Sequence, residues 1–466
     1  MVSLFQHARW AHDLCIDLKE FIAMNRSTLS LFATMLLTIA LVTGAAIPSA
    51  SAATTTPEWV ATWQASPQPV WEEDFLFPTH IPTSLHNQTV RQVARLSLGG
   101  QRLRIVLSNA YGTQPLTVGK ATVALPQQDG AVISTSLSTV TFGGQQAATV
   151  LPGASLISDP VDLAVAALAQ VSVSLYLPNV TPIHTFHWDG RQTGWIVPGD
   201  QTTAAEFQMA DDSAQTTTAR LLLTGIQVET DQAARVVVAI GDSITDGATA
   251  SLDNDSRWPD FLAARLAPHG VAVVNAGISG ARLLSDGMGV NALARFERDV
   301  LAQPGASNVI VMLGINDIGW PDTAFAPDAS PPTLDSLIAG YRQLIEQAHN
   351  RGMHVTGATL TPFEGALPGT PLSDYYNSDK EALRQQANDW IRHSGAFDAV
   401  IDFDAVLRAP DNPTRIARLY DSGDRLHPGD TGNRAMAEAV DLEALLPDFE
   451  SETLLNQSSA MKEISQ

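Results

Sequence analysis

The 466-residue chain contains a single cysteine and four lysines. The cysteine, Cys15, lies upstream of a segment that reads as a cleavable leader, so the mature protein is expected to have no disulfide and no thiol chemistry. Its stability must then come from packing. Acidic residues outnumber basic ones 49 to 27, for a formal charge of −22, which argues against nucleic acid or an anionic membrane as partner, because both need positive charge. The scarcity of lysine points to no substrate. No glycine-rich phosphate loop such as G-x-G-x-x-G or G-x-x-x-x-G-K follows the first strand of the α/β region described below, which disfavours a nucleotide-binding protein. No H-E-x-x-H or similarly spaced ligand set is visible, so neither a metal nor another cofactor is expected. Internal repeats and coiled-coil heptads are also lacking.

What the N-terminus does contain is a leader pattern. No side chain is charged between Ser27 and Pro57, and LFATMLLTIALV at 31–42 has the length of a signal-peptide core rather than of a membrane span. Small residues at Ala50 and Ala52 fit cleavage before Ala53. Met24 with Arg26 would give a short basic start, so translation from Met24 is an alternative to Met1. Residues 1–52 are therefore expected to be removed and the protein to be secreted or periplasmic; an uncleaved anchor helix is the other reading.

From 53 to 232 the apolar period is two. VSVSLYL at 171–177 alternates, VARLSL and RLRIVLS flank Gly99-Gly100 as the arms of a hairpin would, and turn signals recur at Tyr111-Gly112, Asp129-Gly130 and Gly143-Gly144. This predicts an all-β sandwich with jelly-roll topology. From 233 to 447 short apolar runs (VVVAI, VAVVN, NVIVML, HVTGATL, AVIDF) alternate with helical stretches, the pattern of a parallel sheet covered by helices. TLDSLIAGYRQLIEQAHN puts Leu334, Leu337, Ile338, Tyr341, Leu344 and Ile345 on one face and is expected to end near Gly352; DTGNRAMAEAVDLEALL reads as the closing helix. Residues 448–466 read as a flexible tail.

In an open parallel sheet, functional groups gather at the carboxyl ends of strands. VVVAI runs into Gly241-Asp242-Ser243, VAVV into NAGISG (275–280), and VIVML into GINDIG (314–319), while DSGDRLHPGD carries Asp424 and His427. Acyl transfer requires a hydroxyl nucleophile, an imidazole base, a carboxylate to orient it, and donors for the oxyanion. Ser243 can be the first, His427 the second, and Asp424, three residues earlier on a turn, the third. Pro428 suits the first turn of the following helix. The Ser243 N–H, the Gly280 N–H and the Asn316 amide can form an oxyanion hole. Singly, each motif is more often a turn or a cap; together, they fall at neighbouring strand ends. Asp242 and Asp317 are expected to brace their loops, and TPF at 361–363 to shape the pocket rim.

These four blocks, GDSITDG, NAGISG, GIND and DRLH, occur in the order found in the SGNH hydrolases, also called the GDSL esterase/lipase family, which residues 236–445 resemble. The resemblance implies a flavodoxin-like three-layer α/β/α domain, with Ser243 as nucleophile, His427 as base, Asp424 as orienting acid, and Ser243, Gly280 and Asn316 as the oxyanion hole. The G-x-S-x-G elbow of ordinary lipases is absent. WVATWQASPQ, VRQVARLSLGGQRLRIVLSNAYGTQPL and TPFEG resemble a secreted bacterial subgroup with an N-terminal β-domain that includes enzymes of plant-polysaccharide breakdown. The implied activity is metal-independent hydrolysis of short acyl esters, with O-acetyl groups of a polysaccharide such as xylan as lead substrate. A lysophospholipase or arylesterase is the alternative, and a non-catalytic carbohydrate-binding protein is disfavoured by the intact Ser243, Asp424 and His427. The indoles of Trp59, Trp63, Trp71, Trp188 and Trp195 are expected to fill the β-domain core or its interface rather than to stack on sugars.

Overall fold

The first strand, Glu58–Gln64, pairs antiparallel with Leu223–Thr230, so the two ends of the β region lie side by side. The structure, a computed structural model, describes residues 58–72, 75–208, 215–230 and 234–447. The expected leader with Cys15 and Met24, and the expected tail, lie outside them.

Residues 58–230 form two principal antiparallel sheets. One runs in the order Glu58–Gln64, Leu223–Thr230, Gly100–Ser108, Ser155–Ile157, with Val161–Val165 also paired to Gly100–Ser108. The other runs Gln215–Thr217, Gly194–Pro198, Gln88–Arg95, Gln170–Leu177, Lys120–Ala124, Ser138–Val140. Strict alternation drives this: Val161–Val165 is buried at every second residue, giving one face to the core and one to water. Leu103, Ile105 and Leu107 of the first sheet share a buried core with Val90, Val173 and Leu175 of the second.

The expected hairpin at Gly99-Gly100 does not form. Gln88–Arg95 belongs to one sheet and Gly100–Ser108 to the other, so the glycines mark a crossing between sheets. Close approach explains them, since a Cβ on Gly99 would sit 2.3 Å from the Val165 carbonyl oxygen. Gly143-Gly144 is a two-residue turn as read: both have positive φ (60° and 78°), and Phe142 and Gln145 exchange backbone hydrogen bonds across it.

Residues 235–445 hold five parallel strands, here β1 (Arg235–Gly241), β2 (Val271–Gly277), β3 (Ala306–Met312), β4 (His354–Ala358) and β5 (Ala399–Ile401). Their order is β2-β1-β3-β4-β5, the flavodoxin-like arrangement of an α/β/α sandwich. Chain order reverses at β1, so the crevice beyond the carboxyl ends of β1, β2 and β3 is the topological switch point. Among the covering helices, Leu334–His349 starts with a Thr333–Ser336 capping box and buries Leu337, Tyr341, Leu344 and Ile345, leaving Leu334 and Ile338 only partly covered. The closing segment is two helices, Asp430–Glu438 and Leu442–Leu445, because Asp441 accepts from the Glu443 and Ala444 N–H groups and caps a new start.

The β region packs on the free edge of β2. Ser97 Oγ accepts the Val273 N–H (2.7 Å), the Ala61 N–H donates to the Pro304 carbonyl (2.9 Å), and Gln64 Nε2 donates to the Asp299 carbonyl (2.9 Å). The Val273 N–H, an edge group that would otherwise be unpaired, is thereby satisfied. No helix among the described residues is long and apolar enough to cross a membrane.

Candidate active site

Beyond Gly241 the chain turns so tightly that a Cβ there would meet Thr245 Oγ1 at 2.1 Å. Asp242 caps the turn Ser243–Asp246 by accepting the Ile244 N–H at 3.0 Å, and Gly247 (φ 97°) ends it. Ser243 Oγ is held 2.7 Å from His427 Nε2, and His427 Nδ1 is 2.6 Å from Asp424 Oδ2. The other oxygen, Asp424 Oδ1, accepts the Leu426 and His427 N–H groups at 2.9 and 2.8 Å. The acid is thus aimed at the imidazole by its own loop. Burial pushes Asp424 up, but the hydrogen bond and charge of His427 and the two N–H donors hold it well below the usual carboxylate range. Pro428 precedes the helix cap, Gly429, rather than standing in the first turn as expected, because the helix begins only at Asp430.

Gly280 follows β2 in the left-handed region (φ 73°), where a Cβ would stand 2.5 Å from Met288 Sδ and 3.0 Å from a Trp320 ring carbon. Asn316 lies on the short helix Ile315–Gly319 beyond β3. Its Oδ1 accepts from Trp320 Nε1 (3.0 Å) and Tyr375 OH (2.8 Å), which fixes the amide so that Nδ2 is the donor. One Nδ2 hydrogen goes to the Ala281 carbonyl (3.0 Å), leaving the other to point elsewhere. The Ser243 and Gly280 N–H groups have no acceptor among the described residues.

Asp242 and Asp317 both sit in loop-bracing positions. Asp317 takes the Leu283 and Leu284 N–H groups (2.7 and 2.9 Å), stapling the segment after Gly280 to the helix of Asn316. Burial pushes Asp317 up to about 6 against those donors. Burial likewise pushes Asp242 up to about 7, against the Ile244 N–H and the charge of His427; its Oδ2 has no hydrogen-bond partner among the described residues.

Ser243, Gly280, Asn316, Asp424 and His427 all open onto one cleft of about 240 Å³. Its walls are mostly apolar and come from both regions, Phe77 and Trp188 from the β region facing Met288, Trp320 and Phe325. Trp188 packs against the core as expected, on Trp71 and Phe77, and in addition lines the cleft. Trp63, against Arg220, and Trp71, behind Trp188, also pack on the core, whereas Trp59, against Arg104, and Trp195, beside Phe207, are half-buried away from it. Phe363 of TPF is fully buried behind Tyr375 and does not reach the rim; Leu367, four residues on, lines the cleft instead.

Two supporting residues escaped the sequence reading. Arg295 is fully buried and donates to the carbonyls of Ala276 (2.7 Å) and Gly241 (3.0 Å), tying the ends of β2 and β1 together. In ARFERD it reads as one more charge on a solvated helix. His187 of the β region reaches Asp246 at 2.9 Å, a contact between residues 59 apart that no local pattern announces. Among the described residues no group of three or more His, Cys, Asp or Glu side chains could hold a metal ion.

Residues 237–440 match the family model of the GDSL-like lipase/acylhydrolases. No curated protein matches the chain. Solved structures similar to it include the native M. smegmatis aryl esterase (19% identity over 46% of this chain and 100% of that one, TM-score 0.37). Others are an acetyl xylan esterase from Geobacillus stearothermophilus (24%, 44% and 92%, TM-score 0.33) and a GDSL-like lipase from Bacteroides thetaiotaomicron VPI-5482 (16%, 45% and 87%, TM-score 0.34). Residues 237–440 therefore form a GDSL-like lipase/acylhydrolase domain, that of a carboxylic-ester hydrolase.

Proposed function

We propose that this protein cleaves short-chain acyl esters through a covalent acyl-enzyme formed on Ser243. The observation that carries the reading is the unbroken hydrogen-bonded series Asp424, His427, Ser243, at 2.6 and 2.7 Å. His427 Nε2 takes the Ser243 proton as Oγ attacks the ester carbonyl, and Asp424 holds the imidazole in the tautomer that leaves Nε2 free to accept. The Ser243 N–H, the Gly280 N–H and the second Nδ2 hydrogen of Asn316 are the donors for the oxyanion. As the tetrahedral intermediate collapses, His427 returns the proton to the departing alcohol; water, activated by the same imidazole, then releases the acid and restores Ser243. Asp242 and Asp317 act by holding the Ser243 and Gly280 loops.

O-Acetyl groups of a polysaccharide such as xylan are a second, finer reading, favoured by the indole of Trp188 at the cleft, a surface on which a sugar ring can stack. Export after loss of residues 1–52 accompanies that reading, with 53–232 as the β-domain, 233–447 as the hydrolase domain and 448–466 as a tail. Acetate release from p-nitrophenyl acetate and from acetylated xylan, by the wild type beside Ser243→Ala, tests both levels. Turnover abolished in the variant supports the acyl-enzyme, and retained turnover overturns it. Cleavage of the small ester without xylan leaves the mechanism and removes the polysaccharide.

A further inference from the structure

Four aromatic rings form a continuous wall of the cleft. Trp188 and Phe77 are stacked (centroids 5.5 Å apart, planes at 16°), Phe77 meets Phe325 edge to face at 5.1 Å, and Phe325 leans on Trp320 at 4.6 Å. Trp320 in turn donates to Asn316, so the wall ends at the oxyanion donors. Half of it comes from the β region and is fixed from behind. Trp188 N donates to Gln68 Oε1 (3.0 Å) while Gln68 Nε2 donates to the Met288 carbonyl (2.6 Å), and Trp71 Nε1 donates to the Phe77 carbonyl (2.7 Å). Rings held this way do not need to be ordered when a ligand arrives.

The other lining groups say what the wall can receive. Ser279 Oγ donates to Asp246, Thr249 Oγ1 to the Pro428 carbonyl, and Tyr375 OH to Asn316, so the hydroxyl hydrogens of the cleft are already committed. Apart from Asp424, Asp189 is the only carboxylate on the lining among the described residues, and burial pushes it above its usual range. Although a sugar ring can stack on the Trp188 indole, it would bring several hydroxyls to a surface with few groups to meet them, at a desolvation cost, so the lining favours an aromatic ring over the sugar of the finer reading. A flat apolar ring brings none. The cleft also exceeds what an acetyl group alone can fill.

Resting on the ester-hydrolase reading, we infer that the β-domain is a specificity element: Phe77 and Trp188, with Phe325, form a subsite for an aromatic ring of the ester substrate. The ring can belong to the alcohol or to the acyl part, and the chemistry of recognition is the same.

Initial rates of the full-length protein with benzyl acetate, ethyl phenylacetate and ethyl acetate test this, because benzyl alcohol and ethanol are similar leaving groups. The wild type is expected to prefer at least one ring-bearing ester, benzyl acetate placing the ring on the alcohol side and ethyl phenylacetate on the acyl side. Phe77→Leu and Trp188→Ala should each lower kcat/KM for that ester about tenfold, mainly through KM, the lower end of what one hydrophobic contact discriminates. Ethyl acetate turnover should fall less than turnover of that ester, and melting temperatures close to the wild type show that the variants are folded. Equal rates on all three esters, or variants that slow all three alike, would overturn the subsite and leave the serine mechanism standing. No turnover of any of them would overturn the ester-hydrolase reading and the subsite with it.

Discussion

His187 of the β region and Asp246 of the turn Ser243–Asp246 are hydrogen-bonded at 2.9 Å, both almost completely buried. The other ring nitrogen lies 3.0 Å from the Ser66 carbonyl oxygen, and the other carboxylate oxygen accepts the N–H and Oγ of Ser279, next to Gly280. The Ser66 carbonyl and the Asp246 carboxylate thus flank the ring, one at each nitrogen. Burial pushes Asp246 up, but the His187 charge and hydrogen bond prevail and hold it below its ordinary value. One bond series thus runs from the β-domain to the loop that presents the Gly280 N–H.

His187→Ala is therefore expected to lower kcat on the order of tenfold with KM little changed, since a small misplacement of the oxyanion donors acts on the transition state. It should also lower stability by about 3–5 kcal/mol, the consequence of leaving Asp246 buried and unpaired. His187→Gln, which can still donate to Asp246, should recover part of both. Steady-state kinetics and thermal melts separate the outcomes: a loss of stability with unaltered kcat would make the pair a fastening and nothing more.

Asn316→Ala should cost on the order of 100-fold to 1,000-fold in kcat, the range for removal of one oxyanion donor. Tyr375→Phe offers a milder version. It removes one of the two donors that fix the amide of Asn316, leaving Trp320 Nε1, and should lower kcat several-fold without raising KM. A rise in KM alone in either variant would make Asn316 a substrate-binding group.

Gly280→Ala addresses the same hole from the backbone. The new methyl would overlap Met288 Sδ at 2.5 Å in a left-handed conformation, so the loop must shift and carry its N–H with it. A fall in kcat of tenfold or more is expected. Met288→Ala in the same chain opens the space but not the backbone conformation, and should restore only part of the rate.

The residues of the proposed site were readable as one group because each sits where local sequence decides geometry. Asp424 and His427 are three residues apart on one loop, and Ser243, Gly280 and Asn316 each follow an apolar run that could only be a buried strand. Asp242 and Asp317 were likewise visible as residues beside those ends. Pairing between distant strands was not readable. Gly99-Gly100 looks like a hairpin turn in isolation, and only the approach of the Val165 carbonyl shows why glycine is required there. The aromatic wall was hidden for the same reason: Phe77 and Trp188 are far apart in sequence, and Phe325 lies in a different fold region. Arg295 shows the converse limit, a charged side chain wholly buried because two strand-end carbonyls and Asp299 receive it.

Asp242 gives a pH prediction with a definite sign. Its carboxyl is raised from 3.8 to about 7 in the fold, so the folded state binds the proton more tightly than the unfolded chain does. The stability this contributes is fully present below about pH 4 and is lost as pH rises through about 7, amounting to at most a few kcal/mol. Asp317, raised to about 6, adds a change of the same sign, whereas Asp424, held low, contributes stability that disappears only as pH falls through the acid range. Asp242→Asn keeps an oxygen for the Ile244 N–H but has no proton to lose, so its melting temperature should gain on the wild type as pH is raised from 4 to 8. Parallel melting curves across that range would show instead that Asp242 does not titrate there, and that its unpartnered oxygen is stabilised in some other way.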